Sequence, residues 1–249
     1  MTRYFIHMAY DGTDYHGWQV QPNGKTVQQV MEHTLSTLLK QEIEITGAGR
    51  TDTGVHASFF VAHFNSSQSL DEPSDQLLYR LNRFLPPDIV VYKIRQVAEE
   101  MHARFSATYR TYHYHISTIK PLYTRNYAHY VHGPLNVDKI KQCCKIILQT
   151  TDFTSFSKLH TDVKTNNCKV MEAAWEEEEN GYLFRIKADR FLRDMVRSLA
   201  GTLLDVGQGK LGLEGFKAVV EAKDRGKAGQ SVPARGLFLV DIGYEVPPW

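Results

Sequence analysis

Apolar and polar positions alternate over residues 3–10, with Tyr4, Ile6, Met8 and Tyr10 on one face, which predicts a β-strand. Asp11-Gly12-Thr13 marks a turn. The period then lengthens. Val27, Val30, Met31, Leu35 and Leu38 fall on one side of a helix over residues 26–40, and Thr26 with Gln29 has capping-box spacing. A short strand near 43–46 and an apolar run over 55–64 follow. Residues 74–84 read as a second helix with Leu77, Leu78, Leu81 and Phe84 inward, stopped by Pro86-Pro87, and 89–94 as a further strand. This order is close to the split β-α-β pattern.

The second half repeats the order loosely, without repeating the sequence. Residues 105–118 form a long strand. A helix over 137–148 turns Ile140, Cys144, Ile147 and Leu148 inward. Strands over 170–175 and 182–188 make a hairpin whose four glutamates, Glu176 to Glu179, read as a solvated turn with Asn180-Gly181. Residues 191–206 form a helix with a buried stripe of Leu192, Val196, Leu199 and Leu203, followed by a short helix over 213–222 and a closing strand over 236–244. The boundary falls at 97–104 with no flexible linker, dividing the chain into halves 1–100 and 101–249.

Between the first helix and the third strand runs Gly47-Ala48-Gly49-Arg50-Thr51-Asp52-Thr53-Gly54-Val55-His56-Ala57. Glycine permits tight turns and close ligand approach, so this is a loop mounted on a rigid strand. Asp52 is the first candidate for chemistry. Arg50, two residues away, has the geometry to clasp a carboxylate bidentately and keep it ionised. By itself an Arg-x-Asp is more often an exposed turn with a weak ion pair.

Composition narrows the setting. The chain has 249 residues, 42% hydrophobic and 23% charged, as in a globular protein. No run is long and apolar enough to span a bilayer, and residues 1–11 lack the apolar core of a signal peptide. Cys143, Cys144 and Cys168 form no C-x-x-C pair, which suggests a reducing compartment, hence the cytoplasm. Residues 1–100 carry net charge −4 and residues 101–249 net +5, compatible with phosphate binding by the second half or with ordinary surface scatter.

Two further strings matter. In Arg110-Thr111-Tyr112-His113-Tyr114-His115-Ile116, a strand puts Arg110, Tyr112, Tyr114 and Ile116 on one face, either as core or as a platform for a stacked base. In Phe191-Leu192-Arg193-Asp194-Met195-Val196-Arg197, Arg197 borders the buried stripe, where an arginine usually snorkels.

Together the three strings resemble the signatures of the tRNA pseudouridine synthase A family. Tyr10-Asp11-Gly12-Thr13, Gly17-Trp18-Gln19, Leu81-Asn82, His102-Ala103-Arg104, Asp152-Phe153-Thr154-Ser155-Phe156 and Pro233-Ala234-Arg235-Gly236-Leu237 extend the likeness over essentially the full chain. The resemblance implies an α/β (α+β) protein of two RNA-recognition-like (ferredoxin-like) halves sharing a mixed, mostly antiparallel sheet with a central catalytic cleft. It implies isomerisation of uridine to pseudouridine at positions 38, 39 and 40 of tRNA, on the 3′ side of the anticodon stem-loop. Asp52 is then the nucleophile, and Arg50 pairs with it or helps extrude the base. Tyr112 stacks on the uracil and is a candidate for abstracting the C5 proton, and Arg197 pairs with the aspartate. The resemblance also implies a homodimer and, since the reaction is an isomerisation, neither cofactor nor metal. Arg104, Arg110, Arg190, Arg193 and Lys210 are candidate phosphate contacts. Thr53, Phe59, Phe60 and Lys169 depart from the family pattern.

Two rival readings remain. One is a non-catalytic RNA-binding module of the same fold. The other is a metal-dependent hydrolase using His56, His63, His113 or His115. Asp52 and His56 lie in a loop rather than on a helix that would aim both at one ion, and no P-loop or G-x-G-x-x-G is present.

Overall fold

The computed structural model describes residues 1–70, 75–158 and 165–249. Among them are nine strands and five α-helices. They form two units, Met1–Thr108 with Phe238–Trp249, and Tyr109–Leu237. The boundary expected at 100/101 lies a few residues before this division, and the closing strand, expected with the second half, groups with the first.

The first unit holds β1 (Thr2–Tyr10), α1 (Val27–Leu39), β2 (Ile45–Gly47), β3 (His56–Ser66), α2 (Asp75–Phe84) and β4 (Ile89–Gln96). β1 lies between β4 and β3, antiparallel to both, and β2 pairs antiparallel with β3. The order β4-β1-β3-β2 is that of a split β-α-β unit. The last strand, at Leu237–Tyr244, joins parallel to the start of β3, with His56 opposite Phe238 and Ala57 opposite Leu239. The alternating face of β1 is buried as its pattern predicts, and so is the other face at Phe5, which packs on Tyr244.

Thr26 caps α1 by accepting the Gln29 N–H, and Val27, Met31, Leu35 and Leu39 are buried. Leu38, expected inward, is half-buried because Leu39 takes the last place on the stripe, just before a left-handed cap at Lys40. Phe84, also expected inward, is exposed. Leu85 is buried in its stead, its N–H carried one residue past the helix onto the Leu81 carbonyl (2.8 Å). The expected start of α2 at Ser74 lies outside the described residues.

The second unit contains β5 (Ala107–Ser117), β6 (His129–Tyr130), α3 (Val137–Gln149), β7 (Val170–Glu178), β8 (Gly181–Ala188), α4 (Met195–Gly207) and α5 (Leu213–Ala222). β8 pairs antiparallel with both β5 and β7, and β6 adds parallel to β5. α3 is capped by Asn136, packs on β7 and α4, and buries Ile140, Cys143, Cys144 and Ile147. Leu148, expected inward, is exposed because Cys143 fills that side of the stripe. Burial pushes the thiols up, to about 11 for Cys143 and about 12 for Cys144 and Cys168, so all three stay protonated at neutral pH.

Two expectations in this unit are corrected. Glu176 to Glu178 continue β7 rather than forming a turn, which is confined to Glu179-Asn180. Partners on the neighbouring strand and helix hold the acids extended: Arg185 of β8 binds Glu172 (3.0 Å) and Glu176, and Lys141 of α3 binds Glu177 (3.1 Å). The helix expected from 191 begins only at Met195. Asp194 sits in the left-handed region (φ 67°), which breaks the helical path although Leu192, Val196, Leu199 and Leu203 are all buried.

His63 supplies a test of the first unit's packing. Its Nδ1 accepts the Ala103 N–H (3.2 Å). Burial, with His102 and Arg3 adding to the effect, holds its pKa near 4. The unfolded chain takes up this proton near the ordinary value of about 6.5, the folded chain only near 4. The unfolded state therefore binds more protons in that window, and stability falls as pH drops through it. Urea denaturation at pH 7 and pH 5 should show a loss of which His63 contributes on the order of 1–2 kcal/mol. His63→Asn, which keeps an acceptor that cannot titrate, should flatten the slope. Equal slopes in the two proteins would refute the assignment.

Candidate active site

The loop after β2 is held almost entirely through its backbone. The Thr51 carbonyl accepts the Trp18 N–H (3.2 Å), the Asp52 carbonyl accepts the Val55 N–H (3.1 Å), and the Gly54 N–H donates to the Tyr15 carbonyl (3.3 Å). The Thr51 and Tyr10 hydroxyls bond at 2.9 Å. The segment after β1 forms the cradle. A Cβ on Gly12 would lie 2.0 Å from the Val55 carbonyl oxygen, and one on Gly17 (φ +85°) would lie 2.3 Å from that of Thr51. This is the physical content of the Tyr10–Gly12 and Gly17–Trp18 strings, whose glycines let one loop seat on the other. The far end is fixed at His56, whose Nδ1 accepts the Gly12 N–H (3.1 Å) beside Asp11, with the ring stacked on Phe238 at 4.5 Å.

Asp52 is half-buried at the crest of this loop. Arg50 is exposed. Thr51 between them is buried and anchored through both carbonyl and hydroxyl, which fixes the backbone beside Asp52. Of the departures from the family pattern, Thr53 is exposed. Phe60 is fully buried against Trp18 (4.2 Å). A Cβ on Gly47 would strike both of those rings. Phe59 packs on His7 at 4.3 Å.

In the second unit, Tyr112 lies on β5 opposite Ile186, 9% exposed, its ring edge-on to Phe191 at 5.0 Å. Its neighbour on that face, Tyr114, is structural: the hydroxyl donates to the Pro233 carbonyl (2.9 Å), and burial raises its pKa above the ordinary tyrosine value. Arg197 is on the first turns of α4. Its Nε donates to the Val232 carbonyl (2.7 Å) and its Nη1 is 3.2 Å from Asp194 Oδ1. Asp194 also accepts the Ser231 hydroxyl and lies 3.8 Å from Arg225. Residues 232–233 thus tie Arg197 to Tyr114, two positions from Tyr112. Asp194, at i,i+3 spacing from Arg197, was within reach of the sequence pattern and was missed; Ser231 and Val232 carried no sequence signal, because their contacts are remote along the chain.

The candidate phosphate contacts differ in their surroundings. Arg104 is exposed, above the Phe105 ring. Arg110 donates to the Asp189 carbonyl (3.1 Å), and Asp189 Oδ1 accepts the backbone N–H groups of Arg190 (2.7 Å) and of Lys169 (2.8 Å), another departure. Arg193 is exposed and Lys210 lies 3.6 Å from Asp205.

A family profile described as tRNA pseudouridine synthase matches residues 6–106 and 148–245. The chain belongs to the tRNA pseudouridine synthase family. It is 53% identical over 247 residues to tRNA pseudouridine synthase A of Bacteroides thetaiotaomicron, covering 98% of this chain and 91% of that one. It is 52% identical to the protein of that name from Bacteroides fragilis (97% and 96% covered) and 39% identical to that from Bacillus subtilis (96% and 97% covered). Arg50, Asp52 and Arg197 lie within the residues matched to the synthase family, and Tyr112 lies in the stretch between the two matched segments. Among solved structures, a CRISPR endoribonuclease bound to RNA aligns at TM-score 0.19 and 12% identity (84% and 94% covered), too weak a likeness to argue from.

Proposed function

We propose that the protein isomerises uridine to pseudouridine in tRNA, at positions 38, 39 and 40 of the anticodon stem-loop, with Asp52 as nucleophile. The observation that carries this is the seat of Asp52: a family signature loop pinned by backbone bonds, with its one central carboxylate half-buried. The target uridine is everted from the stem at a cost of a few kcal/mol. Asp52 attacks uracil C6 or ribose C1′, or assists departure through a glycal. The N1–C1′ bond breaks, the base turns, a C5–C1′ bond forms, and the C5 proton leaves while N1 gains one. The formula is unchanged, so the chemistry calls for no cofactor. Tyr112 stacks on the base and is the candidate acceptor of the C5 proton. Arg197, steadied by Val232 and Asp194, supplies positive charge to the aspartate. Arg104, Arg110, Arg190, Arg193 and Lys210 bind phosphates. The enzyme acts in the cytoplasm as a homodimer. Among the described residues no helix is long and apolar enough to cross a membrane.

Tritium release from tRNA containing 5-tritiated uridine tests the reaction. Binding without release would convert the protein into an RNA-binding module. Arg50 is the second test. It is exposed, which suits a side chain that fills the place of the everted base. Arg50→Ala should lower kcat by about 10²-fold, in the range for lost positioning, with tRNA affinity changed less. The reverse split would reassign Arg50 to binding.

A further inference from the structure

Residues 102–106 form a segment in which every backbone N–H is spoken for. The His102 N–H donates to the Ser106 hydroxyl (2.9 Å) and the Ser106 N–H returns to the His102 carbonyl (2.9 Å). The Ala103 N–H donates to His63 Nδ1 (3.2 Å). The Arg104 and Phe105 N–H groups both donate to His102 Nδ1 (3.1 and 3.2 Å). The carbonyls are tied as well: Tyr244 donates to that of Ala103 (2.7 Å), and Arg3 to that of the preceding Met101 (3.0 Å). His63 and His102 meet edge-to-face at 4.6 Å. Burial and nearby arginine charge lower both imidazole pKa values, which keeps the two Nδ1 atoms available as acceptors at neutral pH.

What this ordered segment offers to solvent is an aromatic ring. Phe105 is 76% exposed, rests on the His102 ring at 4.3 Å, and has the Arg104 guanidinium 5.6 Å from its centroid. Lone exposed apolar residues are ordinary. A ring whose backbone and flanking groups are fixed this completely is different, since its order has already been established before any partner arrives. Charge bears on the partner: the cation nearest the ring is Arg104, whose guanidinium lies against it, and it suits a base flanked by phosphate.

We propose that Phe105 is a stacking platform for an unpaired nucleobase of the RNA substrate, with Arg104 on the adjoining phosphate and with His63 and His102 as positioning residues. The platform rests on the tRNA-modifying reading for its ligand, and it adds a base contact outside the uridine pocket. Face-to-ring stacking is tolerant of base identity, so the contact contributes affinity shared by many tRNAs rather than selection among them.

The probe is a transcribed tRNA carrying 5-tritiated uridine, with Phe105→Ala, Phe105→Leu and Phe105→Trp compared with the wild type. Phe105→Ala should raise KM about tenfold, the equivalent of about 1.4 kcal/mol, with kcat within about twofold. Phe105→Leu should behave like alanine, because an aliphatic side chain restores area but not a stacking face. Phe105→Trp should stay within about twofold of wild type and show a larger tRNA-dependent fluorescence quench than the wild type, whose signal comes from its three native tryptophans. His102→Ala should raise KM similarly, with Phe105→Ala adding little on that background. A wild-type KM in Phe105→Ala or Phe105→Leu, or a loss confined to kcat, would overturn the platform. So would a shift in sedimentation for Phe105→Ala, which would make the ring a protein–protein contact. If the wild type releases no tritium yet binds tRNA through Phe105, the isomerase reading fails and the platform stands. If tritium is released with kinetics indifferent to Phe105, the platform fails and the isomerase reading stands.

Discussion

Asp52→Ala should reduce tritium release from tRNA by on the order of 10⁴-fold or more, the range seen when a covalent nucleophile is deleted. Its tRNA affinity should stay within about threefold. The backbone bonds at the Thr51 and Asp52 carbonyls and the Gly54 and Val55 N–H groups, and the Thr51 hydroxyl bond, do not use the Asp52 carboxylate. Melting curves of the variant separate a chemical loss of rate from a conformational one. Asp52→Asn keeps the shape and loses the charge, and it should be nearly as inactive, because an amide oxygen is a poor nucleophile toward C6 or C1′. Substantial release by either variant would remove Asp52 from the chemistry and leave the loop as a scaffold.

The parts of this protein that were legible in the sequence are those specified by near neighbours. Tyr4, Ile6, Met8 and Tyr10 announce a strand, Thr26 and Gln29 a helix start, and the glycines around Asp52 a loop, because each rests on spacing of about ten residues or fewer. What escaped depends on distant partners. Glu176 to Glu178 look like a solvated turn until Arg185 and Lys141 are seen to hold them extended. Leu192 to Leu203 carry an unbroken helical period, yet the helix starts late because Ser231 and Arg225, far along the chain, hold Asp194 in its left-handed turn. The burial of Phe5 on the non-alternating face of β1 comes from Tyr244 at the other end of the chain. For the site, the string around Asp52 was readable, but the bonds from Tyr10, Tyr15 and Trp18 that hold its loop were not, because backbone and hydroxyl contacts leave no mark in residue spacing.

Gly17→Ala should lower kcat by about 10²-fold with KM little changed, although residue 17 has no side chain to contribute to chemistry. Two costs converge there. Its φ of +85° is outside the range alanine tolerates without strain, worth roughly 1–2 kcal/mol. The new methyl would also stand 2.3 Å from the Thr51 carbonyl oxygen and 3.1 Å from the Asp52 carbonyl carbon, both backbone atoms without a flexible end to swing aside. The loop must move, and the Trp18 N–H to Thr51 carbonyl bond lengthens with it. Displacing a reacting group by about 1 Å costs on the order of 10²-fold in rate. Gly12→Ala, which would meet the Val55 carbonyl at 2.0 Å, presses on the far end of the same loop and should act alike. Gly212→Ala is the control, since a Cβ there meets nothing within 4 Å and its φ is −85°. Assays run well below each variant's melting temperature separate a displaced Asp52 from a partly unfolded chain. A folded Gly17→Ala with wild-type kcat would mean that the cradle does not set the position of the carboxylate.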